Sequence, residues 1–354
     1  MKFKQQELKN ILSIVCPLAN KNNILPILSN LFIKVEKDNV KFITTDMENV
    51  IEYKQDGEYE ENEYLINSKT LQDYINLITS EDIELNFNKK CSIKSKTHKT
   101  NINLQNKEEY PTLPEQNDGF EYEVDVKELK ESLSQILFAS STSDIRIELS
   151  GILFSFGKEL ILASSDGMRL AEKKIKINGE ERKLIVPSKI LNILINVLSK
   201  INDEKIKIVV NDNNILFKTK NINLLSRLIE GSFPEYTQLI PNEVKTEILI
   251  NKNELINAIK TNSIFALDDS ISLEINDKLI INTESQKGDN KSELNIEKKG
   301  DDNNIKFNYL YLLEIIENIN SDKIKIGIND NKSPSIIKAE IDNNYICILM
   351  PLNN

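Results

Sequence analysis

The sequence predicts an α+β protein of three repeated domains, each two helices laid on antiparallel sheet. Three observations predict it: a repeat whose second helices start 120 residues apart, apolar stripes at helical spacing, and apolar runs of period two between the helices. With 354 residues the chain can hold two or three domains, each with a core of its own.

In the first repeat, Leu8, Ile11, Leu12 and Val15 put one apolar stripe on the first helix, and Leu71, Tyr74, Ile75 and Ile78 put one on the second. Leu129, Leu133, Ile136 and Leu137 open the second repeat in the same way, and Leu255, Ile256 and Ile259 open the third. The second helices begin at Asn67-Ser68-Lys69, Pro187-Ser188-Lys189 and Phe307-Asn308-Tyr309. Ser68 and Ser188 are the expected N-caps, because a hydroxyl there can accept a free N–H of the first turn. A polar turn and a strand follow each second helix, at Ser80–Leu85, Asn202–Ile208 and Asn320–Ile326. Between helices, Ile152–Phe156 and Leu160–Leu162 alternate about the turn Gly157-Lys158-Glu159, as a hairpin does. The repeat divides the chain at 1–121, 122–245 and 246–354.

A 40% hydrophobic, 28% charged composition describes a soluble globular chain. No run reaches the roughly 18 apolar residues of a membrane span, and the N-terminus lacks the apolar run of a signal peptide, so a cytoplasmic location is expected. Cys16, Cys91 and Cys347 are scattered and odd in number, which fits reduced core thiols and no zinc site. The single histidine, His98, lies in a basic, polar stretch and reads as an exposed strand or hairpin, so imidazole-based triads and zinc hydrolysis are unsupported. Neither Gly-rich phosphate loop is present, and no cofactor is expected. A net charge of −10 argues against an ordinary nucleic-acid binder. Composition alone points to an acidic, non-enzymatic binding protein.

Four segments carry a resemblance. Leu25-Pro26-Ile27-Leu28-Ser29-Asn30, Ser164-Ser165-Asp166-Gly167-Met168-Arg169-Leu170-Ala171, Ser226–Tyr236 and Leu349-Met350-Pro351-Leu352 resemble, in order and over the whole chain, the bacterial DNA polymerase III β-subunit (sliding clamp) family. The resemblance implies a head-to-tail homodimer whose six domains close into a ring around duplex DNA, a processivity factor without catalytic activity. The polymerase catalytic subunit and the clamp loader would dock on one face. Topological retention also reconciles an acidic chain with DNA, since strong phosphate pairing would impede sliding.

Lys69 and Arg146 stand at positions that the family often makes basic for DNA contact, and Lys189 repeats the place of Lys69; a lysine on a solvated helix face is the plain alternative. Ile147 and Glu148 replace residues that are aromatic in well-known members, and neither can stack on a base. Asn22 stands where some members have arginine. Lys9, Lys127, Lys130, Lys252 and Lys260 on the first helices are interspersed with Glu7, Glu128, Glu131 and Glu254, so weak phosphate contact is expected, without base readout.

By resemblance, a pocket for short hydrophobic peptides is formed by Leu149, Ser165, Gly167, Met168, Arg169, Leu170, Pro234, Gln238, Leu239, Ile348, Met350, Pro351 and Leu352. Met and Leu adapt to apolar anchors, and Gly167 permits close approach. Met168, Gln238 and Asn353 replace a common histidine, arginine and basic residue, which makes the rim less positive. Taken alone, Ser165-Asp166-Gly167 is a good turn sequence in any hairpin, and Asp46 matches Asp166 at the 120-residue repeat. The resemblance places the dimer joint where Ile102 and Leu104 meet Ile264 and Phe265. Two other readings stand beside the clamp: a DNA-free acidic scaffold that collects peptides in the same groove, and a carboxylate hydrolase using Asp166 with Glu172 or Glu230.

Overall fold

The computed structural model of the chain describes residues 1–19, 25–114, 118–143, 145–266 and 268–352. One order of elements occurs three times, with one additional strand between the helices of the third repeat. The first repeat runs β1 (Lys2–Lys4), α1 (Gln5–Ala19), β2 (Asn30–Glu36), β3 (Asn39–Thr45), β4 (Asn49–Asp56), β5 (Asn62–Asn67), α2 (Ser68–Leu77), β6 (Asp82–Phe87), β7 (Lys90–Lys94) and β8 (Lys99–Asn103). The second runs β9 (Phe120–Asp125), α3 (Val126–Ile136), β10 (Gly151–Phe156), β11 (Glu159–Ser165), β12 (Arg169–Lys176), β13 (Arg182–Pro187), α4 (Ser188–Leu198), β14 (Lys205–Val210), β15 (Asn214–Lys218) and β16 (Ile222–Arg227). The third runs β17 (Thr246–Asn251), α5 (Lys252–Ser263), β18 (Ser270–Ile275), β19 (Lys278–Ser285), β20 (Gly288–Asn295), β21 (Glu297–Gly300), β22 (Asn303–Asn308), α6 (Tyr309–Asn318), β23 (Lys323–Ile328), β24 (Ser335–Ala339) and β25 (Tyr345–Leu349).

The apolar stripes read from the sequence are the buried faces. Leu8, Ile11, Leu12 and Val15 of α1 and Leu71 and Ile75 of α2 are inaccessible, as are Leu129, Leu133 and Ile136 in the second repeat and Leu255 and Ile259 in the third. The expected N-cap at Ser68 is corrected by one residue. Asn67 caps α2, its side-chain oxygen accepting the Thr70 N–H at 2.9 Å, while the Ser68 hydroxyl donates to the Ser29 carbonyl at 2.7 Å. Asn251 and Asn308 cap α5 and α6 in the same manner, because an amide oxygen reaches the first-turn N–H groups as a hydroxyl does. Ser188 is likewise the first residue of its helix.

Contacts gather the chain into two compact units, one of residues 1–130 with 189–228 and one of residues 131–188 with 229–354. The first unit holds an eight-stranded sheet of order β5-β2-β3-β4-β16-β15-β14-β9 and a four-stranded sheet β1-β6-β7-β8. The second holds a nine-stranded sheet β13-β10-β11-β12-β25-β24-β23-β17-β21 and a four-stranded sheet β20-β19-β18-β22. The strands of the central repeat are thus divided, β9 and β14–β16 completing one long sheet and β10–β13 the other. All pairings in these sheets are antiparallel, and both long sheets are joined across repeats by single strand pairs, β4 with β16 and β12 with β25.

Cys16, Cys91 and Cys347 are buried free thiols, each pushed up to about 12 mainly by burial. His98 is exposed in the β7–β8 hairpin, with its Nδ1 2.7 Å from the Thr97 hydroxyl. Among the described residues no helix is long and apolar enough to cross a membrane, and no cluster of three metal-ligating side chains occurs.

Candidate peptide cleft and nucleic-acid interface

The turn between β11 and β12 is held by its own side chains. Asp166 Oδ1 accepts the N–H groups of Met168 (2.9 Å) and Arg169 (3.0 Å), and the Ser165 hydroxyl donates to the Arg169 carbonyl at 2.7 Å while accepting the Gly167 N–H at 3.0 Å. Gly167 sits at φ +92°, where a side chain is strained. Met168 is left 41% exposed at the tip.

Beyond the turn the period of two separates neighbours. Leu170 turns into a small core with Leu153, Ala163, Tyr236 and its cross-strand partner Ile348, over which Phe233, Ile240 and Ile336 pack. Next to it the chain end is fastened: the Met350 N–H donates to the Met168 carbonyl at 2.9 Å and the Leu352 N–H to the Lys306 carbonyl at 2.8 Å, with Pro351 buried between. The loop over the core is pinned by Tyr236, whose hydroxyl donates to the buried Glu172 carboxylate at 2.6 Å. Burial and that carboxylate push the Tyr236 phenol far above its ordinary range. The same loop carries half-buried Pro234 and exposed Gln238 and Leu239. Leu170 and Ile348 are thus the buried apolar base of this region, Met168 and Leu239 carry exposed apolar surface near it, and Leu352 lies beside Ser270 and Lys306.

One of the expected pocket residues, Arg169, faces elsewhere. Arg169, adjacent to Leu170 on a strand, projects from the opposite face and is consumed there. Its Nε bonds Asp166 at 3.0 Å, one terminal nitrogen pairs with Glu314 of α6, the other donates to the Phe138 carbonyl at 2.9 Å, and the guanidinium lies 4.4 Å from the Tyr311 ring centroid. Its reading as pocket lining is corrected to a clamp behind the cleft. Leu149 is buried in a short 3-10 turn, Ile147–Leu149. Sequence reading missed Tyr236, Phe233 and Glu172, though the aromatic-proline step Phe233-Pro234, which repeats Tyr110-Pro111, marked the loop.

The basic candidates differ in how free they are. Lys69 is exposed in the first turn of α2. Lys189 approaches Asp46 at 3.8 Å. The Arg146 Nε bonds Glu148 at 3.1 Å, so the acid in the place of an aromatic ring offsets the one cation of that loop. The Glu148 carboxyl is held below its usual range, first by its own backbone N–H and then by Arg146. In the third repeat, Lys252 donates to the carbonyls of Glu317 and Ile319 at the end of α6, and Lys260 pairs with Glu317 at 2.7 Å. Asn22 and Asn353 lie outside the described residues.

At the expected joint, Ile102 is half-buried on β8, the edge strand of its sheet, and Leu104 bridges to Ile66. Ile264 is 63% exposed just after α5, and half-buried Phe265 lies against Gly288 of β20, an edge strand of the other four-stranded sheet.

Comparison with known proteins decides the lineage. Profiles of the DNA polymerase III beta subunit match the chain three times in succession, its N-terminal domain at residues 1–114, its central domain at 123–235 and its C-terminal domain at 237–353. The chain belongs to the DNA polymerase III beta subunit family. It is 28% identical to the beta sliding clamp of Staphylococcus epidermidis over 370 aligned positions, covering 99% of this chain and 98% of that one. The beta sliding clamp of Staphylococcus aureus is also 28% identical, over 93% of this chain and 92% of that one. Among solved structures, the beta subunit of Thermotoga maritima superposes with a TM-score of 0.95 at 23% identity, covering 100% of this chain and 99% of that one. A Pseudomonas aeruginosa beta subunit bound to griselimycin gives 0.94 at 22% identity, over 100% and 99%. The three-domain α+β clamp fold of this family is the fold of the chain.

Proposed function

We propose that the protein is a non-catalytic sliding clamp: a homodimer that closes head to tail around duplex DNA and tethers the replicative polymerase through the cleft at Leu170 and Ile348. The observation that carries the reading is the three family domains in order over one chain, with exposed apolar side chains at Met168 and Leu239 around that cleft. Domain limits at 1–121, 122–245 and 246–354, the clamp loader and other peptide-bearing proteins as partners, and a cytoplasmic location complete the proposal. Edge strands β8 and β20, with Ile102, Leu104, Ile264 and Phe265 beside them, support a joint made by extending sheet. Lys69, Arg146 and Lys189 would touch phosphates. The pairing of the latter two with Glu148 and Asp46 favours weak contact, compatible with sliding.

A second reading, a peptide scaffold that does not hold DNA, draws on the same pairings. Retention on nicked circular DNA after clamp-loader action separates the two. A clamp stays on circles at salt concentrations that strip ordinary phosphate binders and is lost on linearisation; equal salt sensitivity on circles and linear DNA favours the scaffold. Light scattering of the Ile264→Lys, Phe265→Lys variant should show a folded monomer, and a dimer of unchanged mass would remove this joint. The hydrolase reading has no geometric support. Asp166 is spent on its turn and Arg169, and Glu172 faces the Tyr236 core on the other side of β12.

A further inference from the structure

Each unit carries a loop packed over one face of its long sheet, and the two are filled differently. In the first unit Phe32 of β2 stands opposite Ile43 and Leu65; in the second, Leu153 of β10 stands at the matching place, opposite Ala163 and Ile185. The covering loops bring Tyr110-Pro111 and Phe233-Pro234. Phe32 and Tyr110 stack in the first unit, centroids 5.3 Å apart and planes 15° from parallel, so two rings fill the space between sheet and loop. In the second unit a leucine replaces one ring, and Phe233 meets Tyr236 edge-on at 6.0 Å and 89° instead.

The space is left as a cleft of about 200 Å³. Leu153, Ile161, Leu184, Ile185, Phe233 and Tyr236 supply its apolar lining, and the exposed Lys183 and Glu235 its lip. Added bulk at Gly231, on the rim, would meet nothing within 4 Å. Ser155, Ser232 and Thr237 add hydroxyls to the same open cleft. Pro234, assigned above to the proposed peptide pocket, also lines this cleft.

We propose that this cleft receives one aromatic side chain of a docking peptide, in the ring position that Phe32 occupies in the first unit. The incoming ring stacks on Phe233 in the offset geometry that aromatic pairs prefer, and Leu153 is the specificity-determining residue because its size keeps the position open. The identity of the carrier as a clamp-binding peptide rests on the function proposed above; the ring site itself does not.

The test uses the full-length protein and its Leu153→Phe variant, which should fill the cleft from within. Saturation-transfer NMR with indole should give a signal on the unsubstituted protein that falls at least fivefold on Leu153→Phe. Calorimetry then compares the peptide Gln-Leu-Ser-Leu-Phe with versions extended at either end by Gly-Gly-Phe or Gly-Gly-Ala. At one end the phenylalanine extension should bind about tenfold tighter than its alanine counterpart, and the ratio should fall to twofold or less on Leu153→Phe. Phe233→Leu, which removes the stacking partner, should lose the same ratio, and it serves if Leu153→Phe melts abnormally by circular dichroism. Equal indole signals on both proteins, or no gain from phenylalanine at either end, overturn the proposal. If the unextended peptide binds neither protein, the pocket reading falls and the indole comparison alone decides the cleft.

Discussion

At Asp46 in the first unit and at Asp166 in the second, the chain makes the same turn with the same bonds. Thr45 and Ser165 each donate to the carbonyl four residues on at 2.7 Å, and Asp46 and Asp166 each accept the N–H three residues on, at 2.8 Å and 3.0 Å. Met47 and Gly167 take φ +80° and +92°. Even the returning strand is matched, Arg227 donating to Glu48 and Met350 to Met168. The difference lies in what the turns present. Glu48 and Arg227, both exposed, stand where the second unit has Met168 and Met350, and Asn49, whose side-chain amide donates to Asp46, stands where Arg169 reaches α6. The turn is scaffolding common to both, and the proposed docking of apolar peptides would reside in the side chains set around it.

The largest expected effect separates the two closing residues. Arg169→Ala should destabilise the second unit by about 3 kcal/mol, since it strips a buried cation from two carboxylates, whereas Asn49→Ala should cost about 1 kcal/mol for its neutral bonds. Urea unfolding followed by circular dichroism measures both, and equal losses would contradict the assignment of Arg169 as a clamp. Next comes the docking surface. Met350→Ala and Leu170→Ala should weaken a Gln-Leu-x-Leu-Phe peptide about tenfold in calorimetry, as truncation at a binding hot spot does. At the matching places of the first unit, Arg227→Ala and Val50→Ala should leave affinity within about twofold; a comparable loss from either pair would mean that the docking site is misplaced.

Smaller still is the backbone effect. Gly167→Ala should cost about 1 kcal/mol because a Cβ is strained at positive φ. Met47→Gly should move stability by less than about 0.5 kcal/mol, relief of strain being offset by the freedom glycine adds to the unfolded chain. Scanning calorimetry that finds both changes destabilising to the same degree would break the equivalence of the turns. The least difference is expected at the thiols. Cys16 and Cys91 of the first unit and Cys347 of the second are all pushed up to about 12 by burial. Buried and held in the thiol form, they should be invisible to an aromatic disulfide reagent until the fold is opened; fast reaction in one unit would show that it opens locally.

The repeat, the helices and the turns were legible because they rest on local pattern: stripes such as Leu8-Ile11-Leu12-Val15, and the Asp46 and Asp166 turns one period apart. What escaped was non-local or alternating. That Arg169 and Leu170 cannot both line one cleft follows from the pleat, yet the partners that draw Arg169 backward, Glu314 and Tyr311, lie some 140 residues along the chain and no local pattern names them. The pairing of Glu172 with Tyr236 is hidden for the same reason. The cap at Asn67 was missed by one residue because asparagine and serine offer the first turn equivalent acceptors. The cleft beside Phe233 depends on the size of Leu153 relative to Phe32, a comparison that needs the strand register.

The strand pairs β4–β16 and β12–β25 put the compact units of this protein out of phase with its sequence repeats. Cutting the chain at residue 121 would strip β16 from β4, and cutting at 245 would strip β25 from β12; each fragment would carry a naked edge of buried, apolar-faced strand, an invitation to pair with whatever chain is near. Repetition in sequence has not left modularity in structure, and the repeats of this chain are not pieces that can be taken out of it.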